Sequence, residues 1–245
     1  MSIIQSEKGR RDAYSTATAL LESGDYEAAI AAFEALGDYS DAAAQADNAR
    51  NLLAIAAMPY AGVYAPGNVI TLGTFVQEGT EETPLEWIVL QSDENEALLI
   101  CRYAPAVMPW SADGRAVGWE ESDVRAWLTG TFLPAAFAEE EAAALMTDEA
   151  GDAVTLLTAA EAKQFFTDNE SRVCEVTAAA QMQRGSARFG GNACGWWLKN
   201  TASVKGKVAT VATGGALPTA GSEATEQGIA VRPVIRVDLH TLTGE

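Results

Sequence analysis

The chain has 245 residues, of which 48% are hydrophobic and 20% are charged, so it is long enough and apolar enough to bury a substantial core. Its formal net charge of −18 argues against general nucleic-acid binding and against adhesion to anionic membranes. The charge is unevenly distributed, because residues 1–150 carry 7 Lys/Arg and 25 Asp/Glu whereas residues 151–245 carry 9 of each.

The predicted elements begin with a helical segment at residues 1–58. Ala, Leu and Glu dominate it, and Asp25 follows Gly24 at a position suited to cap a second helix. The run 24–36 resembles the turn and second helix of a tetratricopeptide repeat, and a degenerate copy begins at Gly37. Because such repeats need about three units to bury a continuous core, we expect this segment either to cap the following domain or to bind a partner.

Residues 62–245 follow a linker rich in Pro, Gly and Ala, and their pattern predicts a mixed α+β domain. Strands are predicted at 69–76, 85–90, 96–101, 153–157, 208–212 and 229–237, and helices at 120–128, 138–145 and 158–166. Thr158 and Glu161 form a capping box at the start of the last of these helices. Pro233 predicts an edge or a bulge in the final strand. Internal ion pairs are expected for Arg125 and Arg232.

The sequence Gly190-Gly191-Asn192-Ala193-Cys194-Gly195-Trp196-Trp197-Leu198-Lys199-Asn200 stands out in the neutral half of the chain. No acidic residue lies between Glu175 and Glu223, and Lys205 and Lys207 follow in the same window. Neighbouring residues of a strand point to opposite faces, so we expect one indole of the Trp pair in the core and the other on the surface. An internal role, in which the acidic half attracts this basic stretch, is the alternative.

Residues 62–245 resemble a family of bacterial domains of unknown function, the DUF6273 domains, which are frequent in gut Firmicutes. The resemblance rests on Glu86-Trp87-Ile88-Val89-Leu90, 119–128, Phe132 with Ala136-Phe137, Glu139-Glu140-Glu141, 154–157, Cys194-Gly195-Trp196-Trp197-Leu198-Lys199 and 231–235. The family's last block usually runs as tryptophans, Leu, Arg, Ser and Pro, whereas Lys199-Asn200-Thr201 stands here. Any role of that Arg-Ser-Pro therefore does not carry over.

The Trp-rich turn and the closing strand at 231–235 also resemble the end of the C-type-lectin-like fold. Formylglycine-generating enzymes and the variable proteins of diversity-generating retroelements share that fold. In those variable proteins the segment comparable to residues 188–232 displays diversified ligand-contact residues, and Phe189-Gly190-Gly191-Asn192 resembles part of it. The resemblance implies a C-type-lectin-like domain with short antiparallel strands, preceded by a small all-α segment.

Sequence motifs typical of catalytic and metal-binding sites do not occur in this chain. His240 is its only histidine, and no GxSxG, HExxH, P-loop or GxGxxG sequence occurs. Cys101, Cys174 and Cys194 form no CxxC pair, so buried free thiols are expected. The sugar-binding motifs of calcium-dependent lectins are also absent from the sequence. We therefore predict no catalytic residues, no metal and no cofactor.

The lengths of the apolar runs in the sequence bear on the cellular compartment of the protein. The first residues lack the apolar stretch of a signal peptide, and the longest apolar run, 52–58, is far shorter than the roughly 20 residues of a membrane helix. We expect a cytoplasmic protein without a membrane span, and surface display through a partner stays open.

The resulting hypothesis is a non-enzymatic module that binds a protein or an anionic small molecule or glycan. Its predicted contact residues combine donors, positive charge and an aromatic surface: Arg188, Asn192, Trp196, Lys199, Asn200, Lys205 and Lys207. Three alternatives remain: a retroelement variable protein diversified over residues 188–232, a formylglycine-generating-type enzyme that uses Cys174 and Cys194, and a structural domain without a ligand.

Overall fold

The computed structural model describes residues 7–57, 62–115, 118–183 and 191–243. Internal contacts divide the chain into two compact units, residues 1–62 and 63–245, called here the N-terminal and the C-terminal unit. No helix of the described ranges is both long enough and apolar enough to cross a bilayer.

The N-terminal unit contains three helices: α1 (Glu7–Glu22), α2 (Tyr26–Glu34) and α3 (Ala42–Ala57). The Asp25 carboxylate accepts a hydrogen bond from the Ala28 N–H and caps α2, as the sequence predicts. The buried core contains two large side chains, Phe33 and Leu36. The other buried residues are alanines, which let the helices approach closely: Ala17, Ala29, Ala42, Ala46 and Ala49. The unit therefore has its own apolar core.

The C-terminal unit is mixed α+β, with several antiparallel sheets. Its strands are β1 (Val69–Glu78), β2 (Glu81–Ser92), β3 (Glu96–Cys101), β4 (Tyr103–Ala104), β5 (Ala106–Val107), β6 (Leu145–Met146), β7 (Val154–Thr155), β8 (Cys174–Val176), β9 (Ala193–Cys194), β10 (Trp196–Thr201), β11 (Lys207–Val211), β12 (Ser222–Glu223), β13 (Ala230–Val231) and β14 (Val234–Asp238). Its helices are α4 (Asp123–Trp127), α5 (Leu133–Ala136), α6 (Glu139–Ala143), α7 (Ala159–Phe165), α8 (Asn169–Arg172), α9 (Ala178–Gln183) and α10 (Leu239–Thr243), with a π-helical turn at Leu128–Phe132.

Three sheets share this unit. A six-stranded sheet has the order β1-β2-β3-β14-β6, and β7 also pairs with β14; a five-stranded sheet has the order β12-β11-β10-β13-β5; the third sheet is β4-β8-β9. Most pairings are antiparallel, but β10 runs parallel to β13 and β4 parallel to β8. The Trp-containing strand β10 thus lies inside its sheet, between β11 and β13.

Pro233 separates two strands that belong to different sheets. The predicted strand at 229–237 is interrupted at Arg232 and Pro233, where β13 ends in the five-stranded sheet and β14 begins in the six-stranded one. The interruption agrees with the missing N–H of proline. The alternative of an edge position is wrong for β14, because β3 pairs with it on one side and the short strands β6 and β7 on the other.

The two arginines expected to form ion pairs differ in their surroundings. Arg125 donates to the buried Asp152 carboxylate at 2.8 Å, as predicted. Arg232 is 2% exposed and donates to the Cys101 carbonyl at 2.9 Å, and its guanidinium lies 5.2 Å from the Trp196 ring centroid. The expected ion pair of Arg232 is wrong for the described residues, since aromatic rings and a carbonyl surround it instead.

Candidate functional site

Both tryptophans of the Trp pair are buried, so the prediction that one of them faces outward is wrong. Trp196 donates its indole N–H to the Arg172 carbonyl at 3.0 Å, and Trp197 donates to the Met108 carbonyl at 2.9 Å. Trp197 also packs 5.8 Å from Trp110. Neighbouring side chains do point to opposite faces of β10, but the protein covers both faces of this sheet. Trp196 is consequently a core residue and no part of a contact surface.

Carboxylates neutralise two of the predicted contact lysines. Lys199 forms an ion pair with Asp148, and its ammonium lies 5.1 Å from the Trp119 ring centroid. Lys207 pairs with Glu223 at 3.1 Å, directly across the β11–β12 register. Both lysines therefore support the fold rather than offering a free positive charge.

The carboxyl group that pairs with Lys199, that of Asp148, has a lowered pKa. Burial alone would raise the pKa of Asp148, but the Lys199 ammonium and the N–H groups of Asp152 and Ala150 outweigh it and hold that pKa below its ordinary value. A cavity of about 490 Å³ contains Asp148 and Lys199, which are paired with each other.

The remaining predicted contact residues lie in different places. Asn192 is exposed, and it lines a cavity of about 560 Å³ together with Tyr103 and Glu175. Lys205 is exposed in the turn between β10 and β11, and Asn200 lines another cavity at the end of β10. Arg188 lies outside the described residues. The six predicted residues that the structure describes therefore do not form one surface.

The cavity beside Asn200, called here the Asn200 cavity, has a volume of about 500 Å³. Its walls come from four parts of the unit: residues 200–203, residues 217–219, the strand β11, and the helices α7 and α8. The Asn200 side chain joins two of these walls, because its Oδ1 accepts a hydrogen bond from the Ala159 N–H at the start of α7 at 2.8 Å. This volume is within the range of about 300–1,000 Å³ of small-molecule sites.

Among the residues that the structure describes, the Asn200 cavity is lined by two cations and by no carboxylate side chain. Lys163 on α7 is exposed and makes no hydrogen bond or ion pair within the described ranges. Arg172 at the end of α8 is 7% exposed and donates to three neutral oxygens, those of Gly215 (2.8 Å), Phe166 (2.7 Å) and the Asn169 side chain (2.7 Å). A concave, positively charged site is therefore present in a strongly acidic protein.

Sequence reasoning missed Lys163 and Arg172. Neither belongs to a motif, and the cavity exists only because α7 and α8 pack beside the end of β10. The sequence offers little signal for them, because Arg172 and Lys163 lie three and twelve residues before Glu175, outside the acid-free window and among acidic residues.

The three thiols are buried and free, as the sequence predicts. Cys174 and Cys194 are register partners across β8 and β9. Burial raises the pKa of Cys174, and burial together with the neighbouring Cys174 raises the pKa of Cys101. No cluster of three or more His, Cys, Asp or Glu side chains suited to a metal ion occurs in the part of the chain that the structure describes.

Comparison of the chain with models of known protein families, with curated proteins and with solved structures finds no match.

Proposed function

We propose that the C-terminal unit is a non-enzymatic binding module with a C-type-lectin-like fold, related to the DUF6273 domains, and that its ligand occupies the Asn200 cavity. One observation carries the proposal: a cavity of small-molecule size contains Lys163 and Arg172 and no carboxylate, in a chain of net charge −18. Lys199 and Lys207, by contrast, are each paired with a carboxylate. The unpaired cations favour an anionic ligand.

The enzyme alternative has weaker support. A thiol acts as a nucleophile or a metal ligand in its thiolate form, which a raised pKa disfavours. The pKa of Cys174 is raised by burial, and its thiol donates to the Glu175 carbonyl at 3.3 Å. Cys174 and Cys194 are register partners on neighbouring strands. Two small core residues can occupy such positions for packing alone, so the pairing does not favour an enzyme.

The retroelement alternative draws support from the location of the cavity. The side of the cavity opposite α7 and α8 is formed by Leu198 and by residues between 200 and 219, which lie inside the segment 188–232. A diversified protein should vary at exposed positions such as Thr201 and keep buried positions such as Trp196. A nearby reverse-transcriptase gene and a near-copy of this segment would support the alternative, and a genome without them would remove it.

The binding proposal is tested by closing the cavity with a large side chain. Thr201 lies at the exposed end of β10 and lines the cavity, so Thr201→Trp places an indole at its opening. Thr71→Trp is the matched control, because Thr71 is also an exposed strand threonine and lies outside the cavity. The full chain is titrated with benzoate, hexanoate, benzamide, hexanamide, inorganic phosphate, N-acetylneuraminate and glucose, with binding followed by ligand-observed NMR.

We expect at least one of these compounds to bind the wild-type chain and Thr71→Trp but not Thr201→Trp. Far-UV circular dichroism and thermal unfolding establish that both variants keep the wild-type fold. If no compound binds, or if every bound compound binds Thr201→Trp as well as the wild type, the proposed site is wrong.

A further inference from the structure

We infer that the ligand of the Asn200 cavity is a small monocarboxylate, whose carboxylate pairs with Arg172 and Lys163 and whose aliphatic or aromatic body contacts Ala209, Leu217 and Pro218. The inference rests on the proposed function and deepens it, because it names the chemical class of the ligand. Charge, donor geometry and the surface of the cavity each limit that class.

The charge of the cavity is positive and small. Arg172 is buried with its charge facing only neutral acceptors at hydrogen-bond distance, and three of its five N–H groups are used, which leaves two donors. The exposed Asp168 is a neighbouring group of opposite sign, because Arg172 helps to lower its pKa, although the Ser171 N–H contributes more. Lys163 adds one exposed ammonium to the lining. Two cations, one of them partly offset by Asp168, match one negative charge better than several.

The donor geometry favours a carboxylate over a phosphate. Phosphate sites commonly use free N–H groups at the start of a helix. In α7 two of these groups are already occupied, because the Ala159 N–H donates to Asn200 and the Glu161 N–H donates to the Thr158 hydroxyl at 3.2 Å. The planar guanidinium of Arg172 is complementary to carboxylate and phosphate alike, so the preference for a carboxylate rests on the occupied N–H groups of α7.

The surface of the cavity favours an apolar ligand body over a sugar ring. Its apolar lining is aliphatic and includes Leu198, Ala209, Leu217 and Pro218. Tryptophan, tyrosine and phenylalanine do not occur among its described lining residues, so a pyranose finds no aromatic platform there. A hydrocarbon chain or a benzene ring can bury its surface against the aliphatic side chains.

The test compares acids with their uncharged amides on the full chain. Benzoate and hexanoate, benzamide and hexanamide, and inorganic phosphate are titrated against the wild type, Lys163→Gln and Arg115→Gln. Arg115 is an exposed arginine outside the cavity, so its variant changes the net charge equally without touching the site. Arg172→Met is a further variant, which removes the buried charge, and circular dichroism shows whether it folds. If Arg172→Met does not fold, Lys163→Gln still decides the test.

We expect the acids to bind about tenfold more tightly than the amides, and Lys163→Gln to weaken acid binding several-fold without changing amide binding. Arg115→Gln should bind the acids like the wild type. Equal affinity for benzoate and benzamide, or tighter binding of phosphate than of either acid, would overturn the inference while leaving the cavity a binding site. The proposed function itself fails only when Thr201→Trp blocks no compound at all.

Discussion

Gly215 is the position at which a single methyl group has the largest effect that the structure predicts. Its φ angle is +78°, and a Cβ atom added there lies 1.7 Å from the Asn169 carbonyl oxygen and 2.6 Å from the Asn169 carbonyl carbon. The left-handed backbone costs an L-residue about 1–2 kcal/mol. Displacing the packed backbone of Asn169 adds about 1–3 kcal/mol. Gly215→Ala should therefore lower the free energy of unfolding by about 2–5 kcal/mol.

The matched control is the preceding residue. A Cβ atom at Gly214 has no neighbour within 4 Å, and its φ angle lies outside the left-handed region. Gly214→Ala should therefore change the stability by less than about 1 kcal/mol. The sequence contains 6 tryptophans, all within the C-terminal unit, so urea unfolding followed by tryptophan fluorescence reports on that unit alone. Equal urea midpoints for the two variants would refute the close approach of Gly215 to Asn169.

Three further predictions concern individual carboxylates. Asp152→Ala leaves the indole N–H of Trp119 and the guanidinium of Arg125 without their acceptor, so urea unfolding should show a loss of about 3–5 kcal/mol; a loss below about 1 kcal/mol would contradict this. The folded-state pKa of Asp148 lies below its unfolded value of about 3.9, so the stabilisation by its carboxylate is complete above about pH 5 and is lost as the pH falls through the folded-state pKa. The difference in melting temperature between the wild type and Asp148→Asn should accordingly shrink on acidification, and a constant difference from pH 7 to pH 2 would be evidence against it. Asp25→Ala removes the cap of α2, so amide hydrogen exchange in α2 should accelerate about fivefold, whereas Asp25→Asn should retain most of the protection.

The features that sequence reasoning identified are those that depend on nearby residues. The Asp25 cap and the Thr158–Glu161 capping box each involve groups close together in the chain, and both are present. The mixed α+β class follows from the same local patterns. Local hydrogen bonds and side-chain spacing are visible in a short window of sequence, so these elements could be predicted.

The errors arose where the surroundings come from distant parts of the chain. The alternation of side chains along β10 is real, but whether a face is solvated depends on Trp110, Met108 and Phe166, which lie far away in sequence. Arg232 was expected to find a carboxylate, yet its partners are the Cys101 carbonyl and two aromatic rings. Such contacts are determined by how the layers pack, which periodicity does not encode.

The position of the candidate site was missed for the same reason, because the residues of the site come from distant parts of the chain. The sequence pointed to a basic stretch, but in the structure two of its lysines, Lys199 and Lys207, are paired with carboxylates. Lys163 and Arg172 carry less obvious signals, because each is a single cation in a helical context. They become a site only through their shared concavity with the end of β10.

The net charge of −18 makes the local arrangement of these two cations decisive for the proposed anion binding. An approaching anion is repelled by the protein as a whole, and salt reduces that repulsion beyond a Debye length of about 10 Å at 0.1 M. Attraction inside the Asn200 cavity acts over a few ångströms and is screened less, because Arg172 is buried. Moderate salt should therefore relieve the long-range repulsion more than it weakens the pairing with Arg172. An acidic protein can in this way bind a small anion through cations that lack a carboxylate partner, whereas cations such as Lys199 and Lys207 serve its own fold.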